Sequence, residues 1–116
     1  MDKSSSEKFP QHVRIVRSVD YQKLYKTGRK VHSADFVLFT RGNALEHHRV
    51  GITVSRKIGN AVVRNRVKRL FREIFRRYFR LIPGRFDIVI NAKSGCAKAS
   101  YAGLQTEFMA AMKKLG

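Results

Sequence analysis

Between Val54 and Arg80 the chain reads VSRKIGNAVVRNRVKRLFREIFRRYFR, and nearly every side chain there that can do chemistry is a cation. Ten of the 25 Lys and Arg residues fall in this stretch, opposed within it by Glu73 alone. Arg64, Lys68, Arg72 and Arg76 repeat every four residues, a spacing at which like charges on a helix repel by about 0.2–0.5 kcal/mol per pair. Surface helices ordinarily interleave acids to offset that repulsion; here a polyanion is the partner that reverses its sign. Arg outnumbers Lys on this face, and a planar guanidinium grips a phosphate through two hydrogen bonds or stacks on a base, as an ammonium does not. The chemistry on offer is phosphate binding.

Bond-breaking chemistry has little to stand on. Asp2, Glu7, Asp20, Asp35, Glu46, Glu73, Asp87 and Glu107 are scattered along the chain, which gives no support for a paired-carboxylate site. There is no CxxC and no HExxH, so a metal site built by the protein is not expected. Cys96 is alone, which rules out an intramolecular disulfide, suits a reducing cytoplasm and reads as a small buried residue. His47 and His48 could suggest ribonuclease-style acid–base work. Adjacent residues in a loop point different ways, however, and a solvated loop is the simpler reading.

Length and charge narrow the class. The 116 residues, 43% of them hydrophobic, suit one domain with a modest core. A net charge of +17 draws the chain to nucleic acid or an anionic membrane, and no apolar run exceeds a few residues, so no membrane partner is expected. Residues 1–11, MDKSSSEKFPQ, lack the apolar centre of a secretory signal and read as a disordered tail before a domain spanning residues 12–116.

The basic stretch needs a scaffold. On a helix turning about 100° per residue, Val63, Val67, Leu70, Phe71, Ile74 and Tyr78 share one arc and the cations the opposite one. The whole stretch reads as one amphipathic helix, with Asn60 as a candidate N-cap and Pro83-Gly84 as a stop. Upstream, Ser18 can cap a helix over Val19 to Lys26 with Tyr21, Leu24 and Tyr25 on one stripe and Gly28 ending it. Residues 34–41 and 49–55 alternate as strands and are expected to pair as an antiparallel hairpin. Phe86 to Asn91 reads as an inner strand, and Ser100 can cap a last helix carrying Leu104, Phe108, Met112 and Leu115. The order is αββαβα with room for an extra strand: an α+β, single-domain α/β sandwich with a small mixed sheet.

Arg49 to Arg72, RVGITVSRKIGNAVVRNRVKRLFR, closely resembles the signature of the bacterial ribonuclease P protein component, with the Arg64-Asn65-Arg66 triplet that names the motif. DYQKLYKTG from Asp20 and ADFVLF from Ala34 are similar to the family's first helix and strand, and FDIVINAK from Phe86 to its last strand. The resemblance implies a ribonuclease P protein-like fold with a left-handed β-α-β crossover, against the usual hand. It also implies an auxiliary subunit of an endoribonuclease, in which the RNA catalyses removal of the 5′ leader from precursor tRNA to leave the mature 5′ end. On that account the protein has no catalytic residue and holds no cofactor, while the RNA-containing holoenzyme needs Mg²⁺. Its partners are the catalytic RNA and the precursor's 5′ leader, with no protein partner required, and its presence broadens substrate specificity.

Residue by residue, the RNA-binding surface falls on Arg64, Asn65, Arg66, Lys68, Arg69 and Arg72, and the preceding turn, Ser55 to Asn60, contributes Arg56, Lys57 and Asn60. The leader-binding cleft falls on Tyr21, Tyr25 and Phe39, where tyrosines replace commoner phenylalanines. Asn91-Ala92-Lys93 departs from a family pattern that often carries arginine there, and Lys93 is left out of the site. Exposed aromatics stack on any unpaired base without reading it, which suits a leader of variable sequence. Two other classes compete: a structural RNA-binding protein of ribosomal type, which needs no aromatic cleft, and a protein-only nuclease using His47 or His48.

Overall fold

The computed structural model describes residues 14, 15, 17–45, 47–78, 81 and 84–115. The expected tail over residues 1–11 and Pro83 of the expected helix stop lie outside them. Among the described residues three α-helices and four strands follow in the order α1 (Ser18–Thr27), β1 (Arg29–His32), β2 (Phe36–Gly42), β3 (Arg49–Thr53), α2 (Ala61–Tyr78), β4 (Phe86–Ala92) and α3 (Tyr101–Leu115). β1 is the extra strand for which the sequence left room. The sheet order is β1-β2-β4-β3, with β4 antiparallel to β2 and parallel to β3.

The expected hairpin between β2 and β3 does not form, because β4 lies between them. Asp87, Ile88, Val89 and Ile90 are all buried, and a strand buried on both faces belongs in the middle of a sheet. Asn43 carries the chain across the mouth of β4. Its amide N–H donates to the Arg85 carbonyl at 3.0 Å, and its Nδ2 donates to Asp87 Oδ1 at 2.9 Å. β3 then returns to β4 through α2 as a parallel β-α-β unit.

One face of the sheet carries the main core. Phe36, Leu38, Ile88 and Ile90 meet Phe71, Ile74 and Phe75 of α2 and Leu104 and Phe108 of α3, all fully buried. Phe36 meets Phe71 edge-on at 5.4 Å, and Phe75 meets Phe108 edge-on at 5.3 Å. Phe75 falls outside the apolar arc read from the sequence, because α2 is covered by α3 as well as by the sheet and its buried arc is wider. Val63, Leu70 and Tyr78 of that arc are half-buried. On the other face Leu24 of α1 packs with Ile15 and Val89, with Tyr21 and Phe39 beside them.

The helix ends separate correct from incorrect local signals. Asn60 Oδ1 accepts the Val63 amide at 3.0 Å, and Ser100 Oγ accepts the Gly103 amide at 3.0 Å, so both are true caps. Ser18 is not a cap: the N-cap of α1 is Arg17, with no side-chain hydrogen bond. Nor is the stretch from Val54 onward one helix, since Arg56–Ile58 form a 3-10 turn with Ile58 buried and α2 begins at Ala61. Gly28 ends α1 for steric reasons at a φ of −78°. A Cβ there would lie 2.6 Å from the Leu24 carbonyl oxygen and 2.9 Å from that of Thr40, so the glycine lets α1 close onto β2.

Two acids that look unrelated in sequence meet in space. Glu107 of α3 accepts the Asp35 amide at 2.9 Å and the Ser33 hydroxyl, stapling the β1–β2 turn to α3, while Lys93 Nζ donates to the Ser33 carbonyl at 2.7 Å. A shared hydrogen bond with Glu107, then burial and the neighbouring negative charge, raise the Asp35 carboxyl to about 6. Glu107 is held below its ordinary value: burial pushes it up, but hydrogen bonds from Asp35 and Ser33 outweigh that. An acid raised on folding binds more protons in the folded state, so its contribution falls as pH rises from the unfolded value of 3.8 towards 6. Thermal melts should therefore show Asp35→Asn removing a loss of stability across that interval; the same pH slope in both proteins would contradict the shared proton. Cys96, fully buried, donates its S–H to the Asp35 carbonyl at 2.9 Å, and burial pushes its thiol up to about 12. At neutral pH it is therefore protonated.

Candidate nucleic-acid interface

The cations of α2 divide into two flanks and an outer strip, because the buried arc of Val67, Phe71, Ile74 and Phe75 runs between them. Arg64, Lys68 and Arg72 line the flank towards β3, Asn65 and Arg69 point outward, and Arg66 and Arg77 lie on the flank towards α3. Arg64 Nε donates to the Gly59 carbonyl at 3.2 Å, fixing the turn that presents Arg56 and Lys57 to solvent. Glu73 pairs with Arg76 and lies 3.6 Å from Arg77 Nε. It thus neutralises only the C-terminal end of the helix. Among the described residues no carboxylate lies within ion-pair distance of Arg56, Lys57, Lys68, Arg69 or Arg72.

Arg66 behaves differently from its neighbours. Its guanidinium donates to the Ala99 carbonyl at 2.8 Å and reaches the Ala97 carbonyl at 3.5 Å, bracing α2 against the turn that leads into α3. The sequence places it with the RNA-facing residues; the structure turns its fork inward.

On the β3 side the cationic flank runs into aromatic surface. Lys68 and Arg72 share a cavity of about 140 Å³ with Arg14, Tyr21 and Gly51. The Ile15 amide donates to the Val50 carbonyl at 2.8 Å, which lays Arg14 along the free edge of β3. Burial, and then the charge of Arg14, lower the pKa of Arg72. Two cations held together with no acid beside them among the described residues make a place for an anion.

Beyond the cavity, Tyr21 and Tyr25 lie 6.3 Å apart, and Tyr25 meets Phe39 edge-on at 4.8 Å. All three expected cleft residues therefore form one cluster. Tyr25 is 42% exposed, and its hydroxyl donates to Asn91 Oδ1 at 3.2 Å. Lys30 Nζ stands 5.9 Å from the Phe39 ring centre. The Tyr21 phenol lies against Gly51, where an added Cβ would come 2.4 Å from its oxygen, so a glycine in β3 makes the seat for the ring. Burial and the nearby Tyr25 raise the Tyr21 hydroxyl above its ordinary pKa, keeping it neutral.

Arg49 holds α1, and hence the tyrosines, in place. It grips Asp87 through two bonds of 2.9 and 2.7 Å and reaches Asp20 of α1 at 3.5 Å. The bonds to Asp87 raise the Arg49 pKa further. Arg14, Lys30, Arg49, Gly51 and Asn91 all escaped the sequence reading. Only Gly51 left a signal, as the gap between Val50 and Ile52 on an otherwise filled strand.

His47 and His48 make contacts within the fold. His48 is buried, stacks on Phe86 at 6.1 Å, and accepts the Phe86 amide on Nδ1 at 3.0 Å. That bond commits one ring nitrogen to the backbone, and His47 Nδ1 lies 3.1 Å from the His48 carbonyl. Lys93, left out of the site, is used by the β1–β2 turn. No helix among the described residues is long and apolar enough to cross a membrane.

A mixed four-stranded sheet with a basic helix on one face and a partly exposed aromatic cluster on the other defines a small α+β domain of the ribonuclease P protein type. The sequence matches the family Ribonuclease P over residues 9–116. It is 36% identical over 103 residues to the ribonuclease P protein component of Syntrophomonas wolfei, covering 89% of this chain and 87% of that one. The RNase P protein of Staphylococcus aureus superposes with a TM-score of 0.81 at 34% identity, covering 89% of this chain and 94% of that one. For the RNase P protein of Thermotoga maritima the TM-score is 0.80 at 31% identity, with coverage of 89% and 97%. The chain belongs to the ribonuclease P protein family.

Proposed function

We propose that this chain is the protein subunit of a cytoplasmic ribonuclease P, positioning RNA for a reaction carried out by the RNA subunit with its bound Mg²⁺. Arg56, Lys57, Asn60, Arg64, Asn65, Lys68, Arg69 and Arg72 meet the catalytic RNA and flank the substrate, while Arg66 keeps that helix in register with α3. Tyr21, Tyr25 and Phe39 stack on unpaired bases of the precursor's 5′ leader. The carrying observation is the continuity of the two surfaces: a cationic flank without acidic partners among the described residues opens through the Arg14–Lys68–Arg72 cavity onto partly exposed aromatic rings.

That continuity is what a single-stranded ligand needs, since the backbone follows the charge and the bases follow the rings. A duplex-binding protein of ribosomal type has no use for the rings. A protein-only nuclease would need a base and an acid facing substrate, and His48 spends Nδ1 on the backbone. The deciding experiment is precursor tRNA cleavage by the cognate RNA at low Mg²⁺, with and without protein. The account expects stimulation by the protein and no cleavage by protein alone; failure to stimulate would overturn it.

A further inference from the structure

On the ring side of the sheet, pairing register lines up four residues from one edge to the other. Thr53 of β3 stands opposite Asn91 of β4, Asn91 opposite Val37 of β2, and Val37 opposite His32 of β1. Their strand neighbours Ile52, Ile90, Leu38 and Val31 belong to the main core on the other face, so alternation turns all four towards the rings. Thr53 and His32 are exposed, Asn91 and Val37 are half-buried, and Val37 packs with neither core. Tyr25 borders the row through its hydroxyl bond to Asn91. Cations stand at both ends. From Thr53 the chain enters the turn that carries Arg56 and Lys57. At the far end Lys30 shares the ring-side face of β1 with His32, its Nζ 5.9 Å from the Phe39 ring centre. No carboxylate among the described residues lies within ion-pair distance of Lys30.

A lysine on an edge strand can do no more than deter pairing with another sheet, a task that a charge of either sign performs. Lys30 differs in its place, at the open end of a row that begins at the cationic turn and passes the rings. We infer that the leader continues from the rings along the Thr53–Asn91–Val37–His32 row, and that its ribose-phosphate backbone is held at the β1 edge by the Lys30 ammonium and an N–H of the His32 ring. This rests on the rings being the leader site, as proposed above. In a single-strand site the backbone follows charge and the bases follow rings, and the row supplies a floor between the two. The α2 flank meets the catalytic RNA, so β3 is the end nearer the scissile bond and β1 the farther one. From β3 to β1 the strand order β1-β2-β4-β3 makes three steps, about 14 Å, which a stacked strand covers in roughly four nucleotides.

Equilibrium binding of precursor tRNA to the holoenzyme reconstituted with the full chain tests this, with leaders shortened from the 5′ end one nucleotide at a time. Lys30→Glu, at an exposed position, keeps a charge on the edge strand. It should nevertheless weaken binding of the full leader by roughly threefold to tenfold, the scale of an exposed charged contact reversed in sign. That loss should vanish once the leader is too short to reach β1, while the loss from Tyr25→Ala persists to shorter leaders. Photo-crosslinkers attached through His32→Cys and Thr53→Cys, with the native Cys96 fully buried, map the path. The probe at residue 32 should mark leader nucleotides farther from the cleavage site than the probe at residue 53. Unchanged affinity of Lys30→Glu for the full leader, an equal loss on mature tRNA, or both probes marking the same nucleotide would overturn the track, with a leader-dependent Tyr25→Ala effect still upholding the ring site. No effect from either Lys30→Glu or Tyr25→Ala would overturn both.

Discussion

Replacing Tyr25 by Ala should lower the holoenzyme's affinity for a leader-bearing precursor by about 1 to 3 kcal/mol, roughly fivefold to a hundredfold, and leave affinity for mature tRNA unchanged. Tyr25 is the most exposed of the three clustered rings, at 42%, so it offers the most surface to a base. Tyr25→Phe separates stacking from hydrogen bonding. It keeps the ring, gives up only the 3.2 Å bond to Asn91, and should retain most of the affinity. Tyr21→Ala should act in the same direction, with an added packing loss because Tyr21 is seated on Gly51. Equal losses on precursor and mature tRNA in equilibrium binding would show that the rings serve the core.

The second large effect concerns Arg66, whose place in the Arg-Asn-Arg triplet suggests a phosphate contact. Its 2.8 Å bond to the Ala99 carbonyl makes it a brace between α2 and the segment entering α3. A charged hydrogen bond of this kind contributes about 1.5–3 kcal/mol, and Ala would also leave the carbonyl without that donor. Arg66→Ala should therefore cost about 2 kcal/mol and lower the Tm by roughly 10 °C. Arg69→Ala, an exposed position with no ion pair among the described residues, should leave the Tm almost unchanged and act on RNA binding. Thermal melts of the two variants distinguish brace from contact; equal Tm values would remove the brace.

The contrast between Arg66 and Arg69 also marks where sequence reasoning reaches its limit. The amphipathic pattern of α2 is local, and so are the Asn60 and Ser100 caps, which depend on atoms three residues away. Which flank of the helix faces a neighbour depends on how α3 and the sheet enclose it, and nothing within α2 encodes that. Phe75 is missing from the apolar arc read in the sequence for the same reason. Pairing of β2 with β3 was the natural guess for consecutive strands, yet the chain's most buried strand, β4, arrives later and takes the centre. The Asp35–Glu107 contact spans 72 positions and has no local trace.

The clustering of the three rings is legible for a different reason. Tyr21 and Tyr25 share a helical stripe and Phe39 alternates on a strand, but those facts alone favoured packing; resemblance to the family supplied their placement in a cleft. The structure adds the supporting contacts, with Arg49 tying α1 to β4 through Asp87 and Asn91 holding the Tyr25 hydroxyl.

Lys68, Arg69 and Arg72, which have no carboxylate partner among the described residues, are expected to meet RNA phosphate, and the salt dependence of binding to the cognate catalytic RNA decides it. Each phosphate contact adds about 0.7 to 0.9 to the slope of log K against log salt, so replacing Lys68, Arg69 and Arg72 together by Ala should flatten that slope by about two. A slope identical to that of the unaltered protein would place those side chains away from the RNA backbone and contradict the account.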